Sequence, residues 1–113
     1  MNVKVGTDIV DIKRFLSSSK NGGEAFNNRL FTPFEQRTNT VEQLASIFCL
    51  KEALIKALSL SYDSWLVIST KRLDNGKLDC SFSDVKIAKS IISIDTSISH
   101  EGDLIFGVAV VII

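Results

Sequence analysis

The chain has 113 residues, 45% of them apolar and 23% charged, and its formal net charge is zero. That length supports one domain around one core, and the balanced charge gives no sign of a nucleic acid or a membrane as partner. Two cysteines and a single histidine are too few for a disulfide framework or a structural zinc site. Both cysteines, Cys49 and Cys80, sit in apolar surroundings, which reads as reduced, cytoplasmic usage. The start of the chain alternates without the long apolar run of a signal peptide. The apolar run Leu104–Ile113 is too short to span a bilayer and suits a buried strand.

In chain order, Val3, Val5, Thr7 and Ile9 alternate with Lys4, Gly6 and Asp8, the period of a strand. Asp11 is placed to cap a helix from Ile12 to about Ser19, ended by the flexible stretch Ser17–Gly23. A second short helix is predicted over Glu24–Leu30. Thr32, Pro33 and Glu35 then occupy the N-cap, N1 and N3 positions of a capping box. Thr40 and Gln43 repeat that signal and open the longest predicted helix, Val41–Ser59. Beyond it, Trp65–Leu73 and Lys77–Phe82 flank Asp74-Asn75-Gly76, a strong hairpin signal. Ser83 is placed to cap a short helix over Asp84–Ser90, and Ile94–His100 and Leu104–Ile113 form a second hairpin around Glu101-Gly102-Asp103. This order, β-α-α-α-β-β-α-β-β, predicts an α+β fold with a largely antiparallel sheet. No repeat, linker or low-complexity segment interrupts it, so residues 1–113 read as one domain.

The helix over 41–59 is apolar around almost its whole circumference and should be buried on most sides. Lys51, Glu52 and Lys56 are set into it. Glu52 and Lys56 lie four apart, so one reading is an ordinary surface ion pair. The other is a carboxylate and two ammonium groups facing a polyanion, the carboxylate holding a cation. Asp8, two residues after Gly6, reads either as a strand-end aspartate or as a second hard oxygen ligand. Together Asp8 and Glu52 would supply the one or two carboxylates that magnesium usually takes, with substrate phosphate and water filling the remaining positions. His100 reads as a polar turn residue or as a phosphate donor. Ser99 beside it does not make a hydrolase, because the chain has no G-x-S-x-G elbow and no second histidine. P-loop and dinucleotide fingerprints are absent too.

Taken together, these segments resemble bacterial holo-acyl-carrier-protein synthases. Gly6-Thr7-Asp8-Ile9-Val10-Asp11-Ile12 with Arg14 is similar to that family's N-terminal signature. Phe48-Cys49-Leu50-Lys51-Glu52-Ala53-Leu54-Ile55-Lys56-Ala57 is similar to its central F-x-x-K-E-A-x-x-K-A helix, and Ser97-Ile98-Ser99-His100 to its S-I-S-H segment. Arg29 to Pro33 with Glu35 resembles the stretch between the motifs, and Asp74-Asn75-Gly76-Lys77 the family hairpin. The resemblance implies a 4′-phosphopantetheinyl transferase-like fold, a largely antiparallel sheet wrapped around one long buried helix. It implies transfer of 4′-phosphopantetheine from coenzyme A to a serine of apo-acyl carrier protein, releasing adenosine 3′,5′-bisphosphate, in support of fatty acid biosynthesis. Asp8 and Glu52 would hold Mg²⁺, and Asp8, Glu52 and Lys56 would be the catalytic group. Lys51, Lys56, His100, Ser59 and Arg29 are the implied contacts to coenzyme A. Arg14, Lys13 and Lys20 are the candidates to meet the acidic carrier protein, a solvated helix face being the alternative. A homotrimer with active sites between subunits is implied as well. The residue that takes the serine proton stays open between Glu52 and a water molecule.

Three positions depart from the family pattern. Ile47 stands where an arginine is usual, Leu58-Ser59-Leu60-Ser61 replaces a glycine-containing turn, and Leu78 replaces a common proline. Glycine lets backbone N–H groups approach an anion without a Cβ in the way, so its loss bears on the affinity for coenzyme A. The alternative reading is a catalytically weakened homologue that binds nucleotide or carrier protein without transfer.

Overall fold

The central helix α3, Val41–Ala57, begins where Thr40 and Gln43 form a reciprocal capping box, Gln43 N–H donating to Thr40 Oγ1 and Thr40 N–H to Gln43 Oε1. Ten of its 17 residues are buried, among them Ile47, Cys49, Leu50, Ala53 and Leu54, as the apolar circumference predicts. It ends two residues earlier than expected, in a Schellman closure: Ser59 N–H donates to Lys56 O at 3.3 Å and Leu60 N–H to Ile55 O at 2.9 Å.

The computed structural model describes residues 1–113 and surrounds this helix with antiparallel strands. Strand β1 (Val3–Asp11) leads into α1 (Ile12–Leu30) and α2 (Pro33–Thr38) before α3. After a single 3₁₀ turn at Trp65–Val67 come β2 (Ile68–Arg72), β3 (Leu78–Phe82), α4 (Val85–Ser90), β4 (Ser93–Glu101) and β5 (Leu104–Ile112). Strands β1, β5 and β4 form one sheet in that order, and β2 with β3 forms a separate hairpin. The register sets Asp8 opposite Gly107, and Gly107 opposite Ile98. One apolar cluster of 19 buried residues, centred on α3, joins both sheets.

Several local expectations change. The first helical segment runs past Ser19 but is broken, as expected, at the end of Ser17–Gly23: Gly23 is non-helical (φ 59°, ψ −144°), the segment over Glu24–Leu30 follows it within α1, and Ser19 Oγ donates to Asn27 Oδ1 across the break. The 17 residues of α3 are therefore the longest unbroken helix, as expected. Asp84, not Ser83, caps α4, accepting from Lys86 and Ile87 N–H. Residues 65–67 form the 3₁₀ turn instead of strand.

The alternation of β1 is as expected, but its faces are the reverse of a simple apolar-in pattern. Val3, Val5 and Ile9 point outward, each about 60% exposed, while Gly6, Asp8 and Val10 face α3. Helix packing forces this. A Cβ on Gly6 would lie 1.8 Å from Ala53 O and 2.7 Å from Ala57 N, so only glycine lets the strand backbone lie against the helix backbone. Gly107 on β5 is similarly tight, its hypothetical Cβ 2.9 Å from Cys49 Sγ. The two glycines seat α3 directly over the peptide that carries Asp8.

Candidate active site

Where α3 crosses β1, Asp8, Glu52 and Lys56 meet. Glu52 and Lys56 share one helix face by their spacing, and the Gly6 contact sets the strand close enough for Asp8 to join them. Lys56 Nζ donates to Asp8 Oδ1 at 3.3 Å and to Thr7 O at 3.1 Å. The Asp8 side chain is only 9% exposed and its Oδ2 is buried with no partner, whereas the lysine end of the pair is open to solvent. The Glu52 carboxyl is pushed up to about 7, first by burial and then by the neighbouring Asp8 carboxyl, with Lys56 pulling the other way. Two carboxyl groups thus share one part-buried spot with one ammonium between them and solvent.

A buried carboxylate oxygen without a partner costs free energy unless a cation or donor meets it. The pair fits a divalent cation on that ground. No group of three or more His, Cys, Asp or Glu side chains gathers within one chain. Two carboxylates beside an open face suit magnesium, which usually keeps positions for phosphate and water.

Lys51 corrects the sequence reading. It does not face this site and cannot reach a bound phosphate. Its ammonium is fully buried, donating to Glu35 Oε1 at 2.7 Å, Leu30 O at 2.9 Å and Trp65 O at 3.2 Å. Burial pushes the Lys51 amine down and Glu35 holds it up. Glu35 in turn accepts from Thr32 N–H at 2.8 Å as capping-box partner, and from Thr70 N–H and Oγ1 at 3.0 and 2.7 Å. One ion pair therefore ties α1, α2, α3 and β2 together. The capping role of Glu35 was legible in the T-x-x-E spacing, but its pairing with Lys51 was not.

The other candidates lie around the rim. Ser59 is exposed at φ 52°, the only non-glycine residue with positive φ. It holds the left-handed conformation that a glycine would take without strain, so the turn keeps its form. Its N–H is spent inside the Schellman closure, and only its hydroxyl is free for a ligand. Arg29 lines a cavity of about 430 Å³ with Phe26, Phe48, Tyr62 and Trp65. Phe48, one turn before Glu52, stacks on Trp65 at 5.0 Å and forms a wall shared with a groove that includes Arg14. Lys13 is paired with Asp103 at 3.3 Å on the surface, which leaves Arg14, Lys20 and Arg29 as the cations of α1 without an ion-pair partner. Ile47 is fully buried in the core.

His100 is not brought to the carboxylate pair within one chain. Its register partner is Ile105, which pairs with Val10, so a whole strand separates it from β1. It lines instead a cavity of about 460 Å³ between β4 and the β2–β3 hairpin, together with Arg72, Asn75 and Lys77. The sequence reading missed Arg72 and Lys77 there. Arg72 braces the hairpin by donating to Gly76 O and to Asn39 Oδ1, and Lys77 pairs with Asp95. Cys49 was missed as well. It is fully buried, its Sγ–H lies 3.4 Å from Asp8 O, and burial pushes the thiol up to about 12, helped by the Asp8 and Glu52 charges.

The chain is 37% identical over 102 residues to the holo-[acyl-carrier-protein] synthase of Dehalococcoides mccartyi, an alignment covering 84% of this chain and 86% of that protein. The fold is similar to the crystal structure of holo-[acyl-carrier-protein] synthase from Neisseria meningitidis, with a TM-score of 0.79, 30% identity and 96% of each chain covered. It is similar also to the Helicobacter pylori holo-[acyl-carrier-protein] synthase solved in complex with coenzyme A, with a TM-score of 0.82, 29% identity, and 95% of this chain and 98% of that one covered. Residues 4–108 match the model of the 4′-phosphopantetheinyl transferase superfamily, and the chain belongs to that superfamily.

Proposed function

We propose that this protein transfers 4′-phosphopantetheine from coenzyme A to a serine hydroxyl of apo-acyl carrier protein, with Mg²⁺ held by Asp8 and Glu52. The observation that carries the reading is the buried, unpartnered Asp8 Oδ2 beside Glu52 and under Lys56. In the reaction the serine oxygen bonds to the β-phosphorus of coenzyme A, the bond from that phosphorus to the bridging oxygen breaks, and adenosine 3′,5′-bisphosphate leaves carrying that oxygen. Phosphoryl transfer of this kind asks for positioning and charge neutralisation more than for covalent chemistry. When bound, the ion would neutralise pyrophosphate oxygens. Lys56, its side chain exposed to solvent, would donate to one of those oxygens. Glu52 or a water molecule beside it would accept the serine proton. The groove over Phe48, rimmed by Arg14, offers cationic and apolar contacts to an acidic carrier protein.

Two further features support assembly into a homotrimer. Val5 and Val110, and Ile9 and Phe106, are neighbours on the outer face of the sheet and stay between 37% and 62% exposed. An apolar face of this kind suits an interface between copies. A neighbouring copy would also bring the cationic cavity at His100, Arg72 and Lys77 to the nucleotide end of coenzyme A. No helix is long and apolar enough to cross a membrane, and cytoplasmic fatty acid synthesis is the setting the activity implies. Ser59 keeps the glycine-like turn but also its Cβ, so the catalytically weakened homologue is the alternative that the transfer assay decides.

Incubation with apo-acyl carrier protein, coenzyme A and Mg²⁺ tests the reading by mass spectrometry. The carrier protein should gain one phosphopantetheine, and chelation should abolish the gain. Binding without a mass gain supports the weakened homologue. Release of phosphopantetheine with no acceptor present would make the protein a phosphohydrolase.

A further inference from the structure

Metal affinity in a two-carboxylate site depends on how firmly the two carboxylates are held relative to each other. Here one is carried by a strand and the other by a helix, so the spacing rests on whatever fastens β1 to α3. Gly6 permits the contact but exerts no hold. Cys49 supplies one. It stands three residues before Glu52 on the same helix face. Its Sγ lies 3.4 Å from Asp8 O and 3.8 Å from Ile105 O, both main-chain carbonyls. A thiol has a single hydrogen, and the shorter distance directs it to Asp8. The sulfur is fully buried and fills the space above Gly107, the residue paired with Asp8 in the sheet. The hydrogen bond acts on the Asp8 carbonyl and the packing on Gly107, its register partner, so both bear on the residue whose Oδ2 is buried and unpartnered.

We infer that Cys49 is a positioning residue for the Asp8–Glu52 pair, its thiol pinning the Asp8 peptide to the helix turn that carries Glu52. The inference rests on the reading of that pair as a Mg²⁺ site. The thiol touches neither the ion nor the substrate, and its part is to set the carboxylate spacing before the ion arrives.

Packing and hydrogen bonding can be separated because Gly107 offers a compensating change. In a Cys49→Ala background the 2.9 Å contact that bars a Cβ at Gly107 is gone, and its next neighbours are Cys49 main-chain atoms at 3.7 Å. The double variant C49A/G107A refills the volume without restoring a donor. Mg²⁺ affinity is measured by calorimetry on the full chain, at a temperature where circular dichroism shows each variant folded. Cys49→Ala should weaken Mg²⁺ about 10-fold, the lower end for loss of an outer-shell partner. C49A/G107A should recover thermal stability but remain weak for Mg²⁺, and Cys49→Ser, which keeps a hydroxyl donor, should lose less than Cys49→Ala. Wild-type affinity in either C49A or C49A/G107A would overturn the inference and leave the cysteine a space filler. Asp8→Asn separates the two levels. If the wild type binds no Mg²⁺, or binds it equally after Asp8→Asn, the metal reading fails and takes this inference with it. If binding needs Asp8 but ignores Cys49, the inference alone fails.

Discussion

Lys51→Met should unfold the chain more readily without touching the chemistry directly. The substitution keeps the length and apolar stem of the side chain and removes the ammonium. Three acceptors then lose their donor: Glu35 Oε1, Leu30 O and Trp65 O, around an ammonium that is fully buried. Glu35 keeps Thr32 and Thr70 as partners but carries its charge into the core uncompensated. Removing one member of a buried pair costs about 3–5 kcal/mol. At about 4 °C per kcal/mol for a domain of this size, the melting temperature should fall by about 12–20 °C. Urea unfolding followed by circular dichroism reads the loss directly, with Lys51→Arg as a charge-retaining comparison. At a temperature where the variant is folded, the KM for coenzyme A should be unchanged. A variant within about 1 kcal/mol of wild type, with KM for coenzyme A raised, would refute the reasoning and return Lys51 to the phosphate.

Three more outcomes follow from the same contacts. Gly6→Ala sets a Cβ against Ala53 O and should cost about 3 kcal/mol or more, since backbone cannot step aside; thermal melts with and without Mg²⁺ should show the ion's stabilising effect shrink as β1 lifts from α3. Ser59→Gly should raise stability by about 0.5–1 kcal/mol, because glycine takes the left-handed turn without the strain a Cβ adds; an unchanged or lowered urea midpoint would contradict this. Arg14→Ala should raise the KM for the carrier protein roughly fivefold, about 1 kcal/mol, with less dependence on salt than wild type, and an unchanged KM would remove Arg14 from that surface.

Much of the fold could be read along the chain because local chemistry and tertiary structure agree. Both capping boxes, the Asp74-Asn75-Gly76 turn and the strand alternations form where the residue types call for them. The carboxylate pair was legible through the family resemblance of the two motifs that carry it, and the Gly6 contact explains why a glycine precedes Asp8 by two residues. What was hidden depends on partners distant in sequence. Lys51 could not be assigned a direction because α3 is apolar nearly all round, which left no polar face to mark a lysine as inward or outward. Its partner Glu35 lies 16 residues earlier, already accounted for as a helix cap. The outward turn of Val3, Val5 and Ile9 was concealed by the same logic: alternation reports two faces, and only the backbone contact at Gly6 decides which one meets the helix. At Gly22-Gly23 the breaker signal was real: Gly23 leaves the helical region, and Phe15 and Phe26 pack edge-on at 5.8 Å to hold the two helical segments together. His100 was legible as a polar end residue, whereas its separation from Asp8 follows from the β1-β5-β4 order.

A crystal structure of the protein with coenzyme A and Mn²⁺ standing in for Mg²⁺, located by its anomalous signal, tests the central claim most directly. The ion should lie within coordination distance, about 2.1 Å, of one carboxylate oxygen from Asp8 and one from Glu52, and against the pyrophosphate. An ion bound elsewhere, or pyrophosphate seated with Asp8 Oδ2 still buried and empty-handed, would contradict it.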